Sequence, residues 1–443
     1  MNEEELERLN RQGARSIVRD YLKLYKGEKF LIICDETTRE IADYVEPEAY
    51  ELGVNVDIIQ VNTDLQEKVK DRNGFPKKLA DKIANAQCIL NILDAKPECT
   101  VFRKSIIKEG QGFGTRIAHA PGLRTEHLRS AFQADFDEML RWNDILIRLL
   151  YFAAECTIVT KDKQGNSYKL HLNLGGKERK PAQSAQVFDG AWTNIPGAEV
   201  YIAPIEKEAY GDIIINGSML GHVLPCDVLI TFKNGKIENW EARDIRFQKL
   251  LDDFAKEWQH DPNWSGLCEF GIGVNNAFKK VTGIQVLDEK MKGTCHIGIG
   301  TNKEFSGKID SEIHQDFVTL KPTIVIDGKT IMKIGHFNIN EADVYEDLEQ
   351  LNLSEQMFVG QEFRLTVRDM DEEDGKAGIG LRDGTDQYFF LQVGSDSSSR
   401  KIVEVLNQLN PTPEFSYDEI KSLSHQAPAI LSLLLKYDFI ERI

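Results

Sequence analysis

Two short segments, "CEFGIG" (268–273) and "CHIGIG" (295–300), share a pattern that constrains the fold more than any other feature of the sequence. Each alternates apolar residues with glycine or a polar residue, which is the period of a β-strand. One face of each strand is then wholly apolar, while the other carries a single acidic or imidazole side chain beside two glycines. Because glycine weakens a strand interior, this use of glycine predicts that other groups approach the backbone closely there.

Residues able to bind a metal recur in these and neighbouring predicted strands. The segment "HQDFVTL" (314–320) places His314 and Asp316 two residues apart, so both side chains lie on one strand face. The full set of candidate metal ligands is Glu199, Glu269, His296, His314 and Asp316. Imidazole nitrogen with carboxylate oxygen suits zinc, iron, cobalt or manganese, and two ions can share a bridging carboxylate. Two lysines in the segment between His296 and His314, Lys303 and Lys308, are candidates for binding a substrate carboxylate or oxyanion.

Charge and composition exclude several classes of partner. The chain has 443 residues and a formal net charge of −17, which opposes binding to nucleic acid and to anionic membranes. From residue 341 onward there are 9 Lys and Arg against 21 Asp and Glu, a balance of −12. The N-terminal sequence "MNEEELERLNRQGARS" is acidic and polar, unlike a secretory signal, so we expect a cytoplasmic protein. The seven cysteines never occur as CxxC, which argues against a disulfide framework or a cysteine zinc site.

Three regions are predicted along the chain. Residues 1–155 alternate helical and strand-like stretches, which is typical of an α/β lobe with a parallel sheet. Residues 156–338 consist of short alternating strands separated by turns such as "FKNGK", which predicts a β-rich α+β domain carrying the candidate ligands. Residues 339–443 form a small acidic α+β extension, with a helical ending that suggests a winged-helix-like unit. This extension is predicted either to recruit a substrate or protein partner, or to stabilise the fold or a dimer.

Five segments, taken in order, resemble the aminopeptidase T family of metallopeptidases. They are "IPGAEVYIAPIE" (195–206), "CEFGIGVNNAFKKVTG" (268–283), "DEKMKGTCHIGIG" (288–300), "FSGKIDSEIHQDFV" (305–318) and "PTIVIDG" (322–328). The resemblance implies a homodimeric two-domain hydrolase in which two divalent ions, zinc, cobalt or manganese, serve the removal of N-terminal residues from peptides. The family's metal-binding pattern falls on the five candidate ligands.

The resemblance departs from the family pattern at one point. The aminopeptidases place a metal-associated tyrosine shortly after the first histidine strand, whereas "TNKEFSGK" follows here and no tyrosine lies between His296 and His314. One branch of relatives resembles iron-dependent dioxygenases that open dihydroxypyridine rings. Three hypotheses therefore stand: a metallo-aminopeptidase or related amide hydrolase, a mononuclear iron oxygenase using His296, His314 and Asp316, and a catalytically reduced relative that binds a peptide or protein. The pattern assigns no functional role to the residues of the turn "DEK" (288–290).

Overall fold

The computed structural model describes residues 2–340 apart from 71–73, 186 and 188–189, together with short stretches of the C-terminal region. Those stretches are 344, 362–365, 369–373, 376–382, 388–391, 402, 405, 414–424, 426–436 and 440–442. The fold is mixed α and β, which confirms the predicted class at that level. About half of the predicted C-terminal extension (339–443) lies outside the described residues, while its predicted helical ending is described.

The first lobe alternates helices and strands. Its elements are α1 Glu3–Ser16, β1 Lys29–Cys34, α2 Arg39–Glu51, β2 Asn55–Gln60, α3 Thr63–Lys68, α4 Lys77–Ala84, β3 Cys88–Asn91, α5 Thr100–Gln111, β4 Arg116–His119, α6 Thr125–Leu128 and α7 Phe136–Phe152. After β4 the chain forms α6, a connecting segment and then α7. Asp135 caps α7 by accepting a hydrogen bond from the backbone amide of Glu138, so the long helix begins there.

A five-stranded parallel sheet forms the centre of this lobe. Its order is β2-β1-β3-β4-β8, and its fifth strand, β8 Trp192–Asn194, comes from beyond the boundary predicted at residue 155. All its neighbouring pairs are parallel. Two of the three inner strands, β1 and β3, are mostly buried and apolar, as expected of a parallel sheet covered on both faces.

The second lobe contains two antiparallel sheets. Its strands and helices are β5 Glu155–Lys161, β6 Ser167–Asn173, β7 Ala182–Gln183, β9 Glu199–Ile202, β10 Tyr210–Ile215, β11 Ser218–Met219, β12 His222–Val223, β13 Val228–Lys233, β14 Lys236–Ala242, α8 Ile245–Trp258, β15 Leu267–Gly273, α9 Gln285–Asp288, β16 Thr294–Gly300, β17 His314–Leu320, β18 Thr323–Ile326, β19 Lys329–Lys333 and β20 His336–Phe337. The eight-stranded sheet runs β14-β13-β10-β6-β5-β18-β19-β20, and the seven-stranded sheet runs β12-β11-β17-β16-β15-β9-β7.

Turn chemistry and burial explain this arrangement. The β18–β19 hairpin turns at Asp327 and Gly328, both at positive φ, which is the backbone conformation that a tight two-residue turn requires. The apolar faces of β15 and β16, including Phe270 and Ile297, are buried in a core that also contains Ile158 and other residues of the eight-stranded sheet. The opposite face of the seven-stranded sheet is thereby left for polar side chains.

In the C-terminal region the described elements are β21 Glu362–Leu365, β22 Asp369–Glu373, β23 Lys376–Arg382, β24 Tyr388–Leu391, β25 Glu414–Ser416, α10 Tyr417–Leu423, α11 Ala427–Lys436 and β26 Ile440–Arg442. They form two three-stranded sheets. Within the described part of the chain, no helix combines the length and apolar character needed to cross a membrane.

Candidate metal centre

The five candidate ligands lie on four adjacent strands of the seven-stranded sheet, and each faces a glycine. In the strand register, Glu269 and Asp316 both pair with Gly298, which lies between them on the central strand β16. The other three pairs are His296 with Gly271, His314 with Gly300, and Glu199 with Gly273. Since directly paired residues of an antiparallel sheet share a face, ligand side chains and glycines alternate across one polar surface.

The glycines make room for the ligands themselves. A Cβ atom at Gly271 would lie 2.1 Å from Nε2 of His296, so the imidazole ring lies directly over that glycine. A Cβ atom at Gly298 would lie 2.8 Å from Oδ1 of Asp316 and 2.8 Å from Cβ of Glu269. The close approach predicted from the glycine pattern is therefore made by the ligand side chains of the neighbouring strands.

Glu269 lies between the two histidines. Its Oε1 is 3.2 Å from Nε2 of His296, and its Oε2 is 3.1 Å from Nε2 of His314. Nε2 of His314 is also 3.3 Å from Oδ1 of Asp316. Ligand atoms of Glu269, His314 and Asp316 all lie within 4.8 Å of one another. The carboxylate of Glu269 thus joins a Glu269–His314–Asp316 group to His296 on its other side.

Neighbouring groups orient two of the ligands. Nδ1 of His314 lies 2.8 Å from the carbonyl oxygen of Thr301, which can only accept, so Nδ1 carries a proton and Nε2 faces the carboxylates. Gln285, at the start of α9, donates a 2.6 Å hydrogen bond to Oδ2 of Asp316. Both contacts resemble the outer hydrogen bonds that fix metal-ligating side chains.

Glu199 belongs to a buried ionic group that the sequence did not reveal. Nζ of the fully buried Lys290 contacts Oε1 of Glu199 and lies 2.6 Å from Oε1 of Glu289. Burial opposes the charged form of Lys290, but the two carboxylates outweigh it and raise the lysine pKa. Burial raises the pKa of Glu289 well above its usual range, although Lys290 opposes this shift. The backbone of this segment packs on Gly273, where an added Cβ would lie 2.4 Å from the carbonyl oxygen of Met291.

The site has the unpaired acceptor atoms that a cation requires. Oε2 of Glu199 and Oδ1 of Asp316 are buried and accept no hydrogen bond. They lie 3.6 Å from Nε2 of His296 and 3.3 Å from Nε2 of His314, respectively. A buried acceptor without a partner is costly, and one lies on each side of Glu269. The donor set of carboxylates and imidazoles therefore fits divalent metal ions.

The pKa shifts of two ligands in the metal-free protein also support a cation-binding site. Burial lowers the pKa of His296, but the hydrogen bond to Glu269 and the charges of Glu199 and Asp316 outweigh it and raise the pKa to about 9. The pKa of Asp316 is lowered because the nearby charge of His314 overcomes the effect of burial. Protons on the histidines thus supply the positive charge that the carboxylates need.

A cleft of about 970 Å³ opens onto this surface. Four of the five candidate ligands line it, namely Glu199, Glu269, His314 and Asp316, and residues of the first lobe form its opposite wall. His296 is buried beneath the cleft. Of the two candidate substrate lysines, Lys303 lines the cleft and forms an ion pair with Asp310, whereas Lys308 is not among the lining residues and pairs with Glu178.

The comparisons with known proteins support the fold. No known family model matches the sequence, and no curated protein matches it. The structure of 2,5-dihydroxypyridine dioxygenase from Pseudomonas putida KT2440 is similar to this chain with a TM-score of 0.57 and 17% sequence identity, over 77% of this chain and 99% of that one. AmpT (aminopeptidase T) from Thermus thermophilus is similar with a TM-score of 0.55 and 16% identity, over 75% and 99%. The chain therefore shares its fold with both enzymes.

Proposed function

We propose that this protein is a metal-dependent hydrolase that removes N-terminal residues from peptides or cleaves a related amide bond. The observation that carries the proposal is the position of Glu269, whose two carboxylate oxygens each face a different histidine. A carboxylate in this position suits a pair of ions, as found in two-metal aminopeptidases. The fold shared with AmpT also supports the proposal of a metal-dependent hydrolase.

The ligands divide into two groups around Glu269. His314 and Asp316 would hold one ion together with Glu269, and His296 and Glu199 would hold the second with the other oxygen of Glu269. We expect zinc, cobalt or manganese, which accept mixed imidazole and carboxylate ligands. Divalent ions in such a site lower the pKa of a bound water and polarise a carbonyl group.

Two neighbouring buried residues, Lys290 and Glu289, affect the charge and the protonation of the site. Lys290 neutralises part of the negative charge of Glu199 without occupying the cleft, because its side chain is fully buried. Glu289 also lines the cleft, and burial raises the pKa of its carboxyl well above its usual range, although the charge of Lys290 opposes this shift. Because carboxyl groups with a raised pKa in a cleft can act as general acids or bases, we assign Glu289 a role in proton transfer beside the substrate.

Metal content and peptide cleavage test this proposal together. Protein purified without added metal or chelator is analysed for metals and then assayed on a library of short peptides with different N-terminal residues. We expect about two ions per chain and N-terminal cleavage by the wild type, with both lost in His314→Ala. The matched control is His336→Ala, an exposed histidine on β20. Unchanged metal content and unchanged cleavage in His314→Ala would contradict the proposal.

An iron-dependent oxygenase of aromatic rings is the second candidate. The fold shared with the dioxygenase favours it, as does the loop after β16, where the ring of Phe305 lies 5.9 Å from that of His314 and no tyrosine is present. His296, His314 and Asp316 would supply two imidazoles and one carboxylate. The converging group in the structure, however, contains one histidine and two carboxylates. A single iron per chain in the metal analysis, together with oxygen consumption in the presence of a dihydroxylated aromatic compound, would favour the oxygenase. Absence of bound metal would favour the third hypothesis, a protein that binds a peptide or protein without catalysis.

A further inference from the structure

The wall of the cleft opposite the candidate ligands is cationic. Helix α5 contributes Arg103, Lys104 and Lys108 to it, and none of the lining residues from the first lobe is acidic. Lys104 and Lys108 are four residues apart, so both point from one face of α5. In a chain with a net charge of −17, a cleft wall with positive charge alone is a specific local feature.

These charges are largely available to a ligand. Lys108 is exposed and has no ion-pair partner among the described residues. Lys104 forms a 3.0 Å ion pair with Glu304 of the second lobe, but both side chains are more than half exposed, and such pairs are weak. Arg103 is buried and donates to neutral oxygens of Asp94, Lys96 and Thr100, so these hydrogen bonds leave its positive charge in place.

His119 adds a directed hydrogen-bond donor to this wall. It ends β4, at the carboxyl edge of the parallel sheet where ligands of such sheets bind. Its pKa is lowered to about 3 by burial and by the charges of Arg103 and Lys104, so the imidazole is neutral. Nδ1 lies 3.2 Å from the side-chain amide nitrogen of Asn91, from which it accepts a hydrogen bond. The proton therefore resides on Nε2, and His119 is among the residues that line the cleft.

We propose that this wall, formed by His119, Lys104 and Lys108, is a subsite for the free C-terminal carboxylate of a short peptide. This inference rests on the proposed function and narrows its substrate class: the peptide would place its N-terminal bond at the candidate metal ligands and its carboxylate at α5. A cleft of about 970 Å³ is in the range that encloses a small ligand. The substrate is thus a short peptide with a free carboxyl end, in preference to the terminus of a folded protein.

The test compares a tripeptide with its C-terminal amide, which differ in a single charge. We expect wild-type kcat/KM to favour the free acid by about tenfold or more, because hydrogen bonds to a charged group contribute at least that factor. The preference should fall to about twofold in the Lys104→Met/Lys108→Met variant, mainly through KM. The matched control is Lys78→Met, an exposed lysine of α4 outside the cleft, which should keep the wild-type preference.

Calorimetric binding of a non-cleavable pair separates this proposal from the proposed function. In these ligands the first peptide bond is replaced by a methylene-amine group, and one ligand ends in a carboxylate while the other ends in an amide. Tighter binding of the acid, lost in the double lysine variant, supports the subsite even if no peptide is cleaved. Equal binding and equal cleavage of the two forms would overturn the subsite and leave the hydrolase proposal intact.

Discussion

Replacing Gly271 by alanine tests whether the glycines of the polar sheet face exist to accommodate the metal ligands. Gly271 pairs with His296 across β15 and β16. The new Cβ would lie 2.1 Å from Nε2 and 2.2 Å from Cε1 of the imidazole, whereas real contacts of this kind do not fall below 3.0 Å. The ring must therefore move by at least about 0.9 Å (3.0 − 2.1), which displaces Nε2 from its position 3.2 Å from Glu269.

The size of the effect follows from the burial of the ring. The His296 side chain is fully buried, so a displacement of this size forces neighbouring atoms to shift. Overpacking of this kind lowers the free energy of unfolding by about 1–3 kcal/mol. We also expect metal affinity to fall by about 10- to 100-fold, the range seen when the orientation of a metal ligand is disturbed.

Competition with a chromogenic chelator measures the affinity, and thermal unfolding of the metal-free protein measures stability. The control is Gly112→Ala at the end of α5, where φ is negative and the nearest atom to the new Cβ is 3.4 Å away. Gly112→Ala should resemble the wild type in both measurements. If a folded Gly271→Ala variant binds metal within about twofold of the wild type, His296 is not a ligand or Gly271 does not position it.

Three further predictions concern the groups around the ligands. Lys290→Met removes the cation between two buried carboxylates and should lower the free energy of unfolding by about 3–5 kcal/mol in chemical denaturation; a change under about 1 kcal/mol would contradict the buried ion pair. Since the pKa of His296 is raised to about 9 without metal, its proton stabilises the metal-free fold fully below about pH 6.5. That contribution is lost as the pH rises through about 9, while metal affinity measured by calorimetry should rise over the same range. Gln285→Leu removes the hydrogen bond to Asp316 and should weaken metal binding by about tenfold or more at unchanged stoichiometry, and unaltered affinity would show that this contact is not needed.

Local periodicity was enough to place the candidate ligands on one surface. Strand alternation assigns Glu269 and His296 to glycine-bearing faces, and the structure places them there because the apolar faces of the same strands are buried. The fifth strand of the parallel sheet was not predictable in this way, since Trp192–Asn194 is short and separated from β4 by more than 70 residues.

The residues that the sequence concealed depend on tertiary contacts. Glu289 and Lys290 follow a short helix and have the composition of an exposed turn, yet both are buried by the approach of their backbone to Gly273. No local pattern distinguishes a buried ion pair from a solvated one. The cationic face of α5 could not be predicted from the sequence for a similar reason. The spacing of its lysines is that of any exposed helix, and this face becomes a cleft wall only because the second lobe lies opposite it.

The strand β8 also adds covalent links between the two lobes. The chain leaves the first lobe after α7, returns at Trp192–Asn194 to pair with β4, and leaves again to enter β9. Three covalent crossings therefore connect the two lobes. A fragment ending at residue 155 would lack β8 and would expose the unpaired edge of β4 to aggregation.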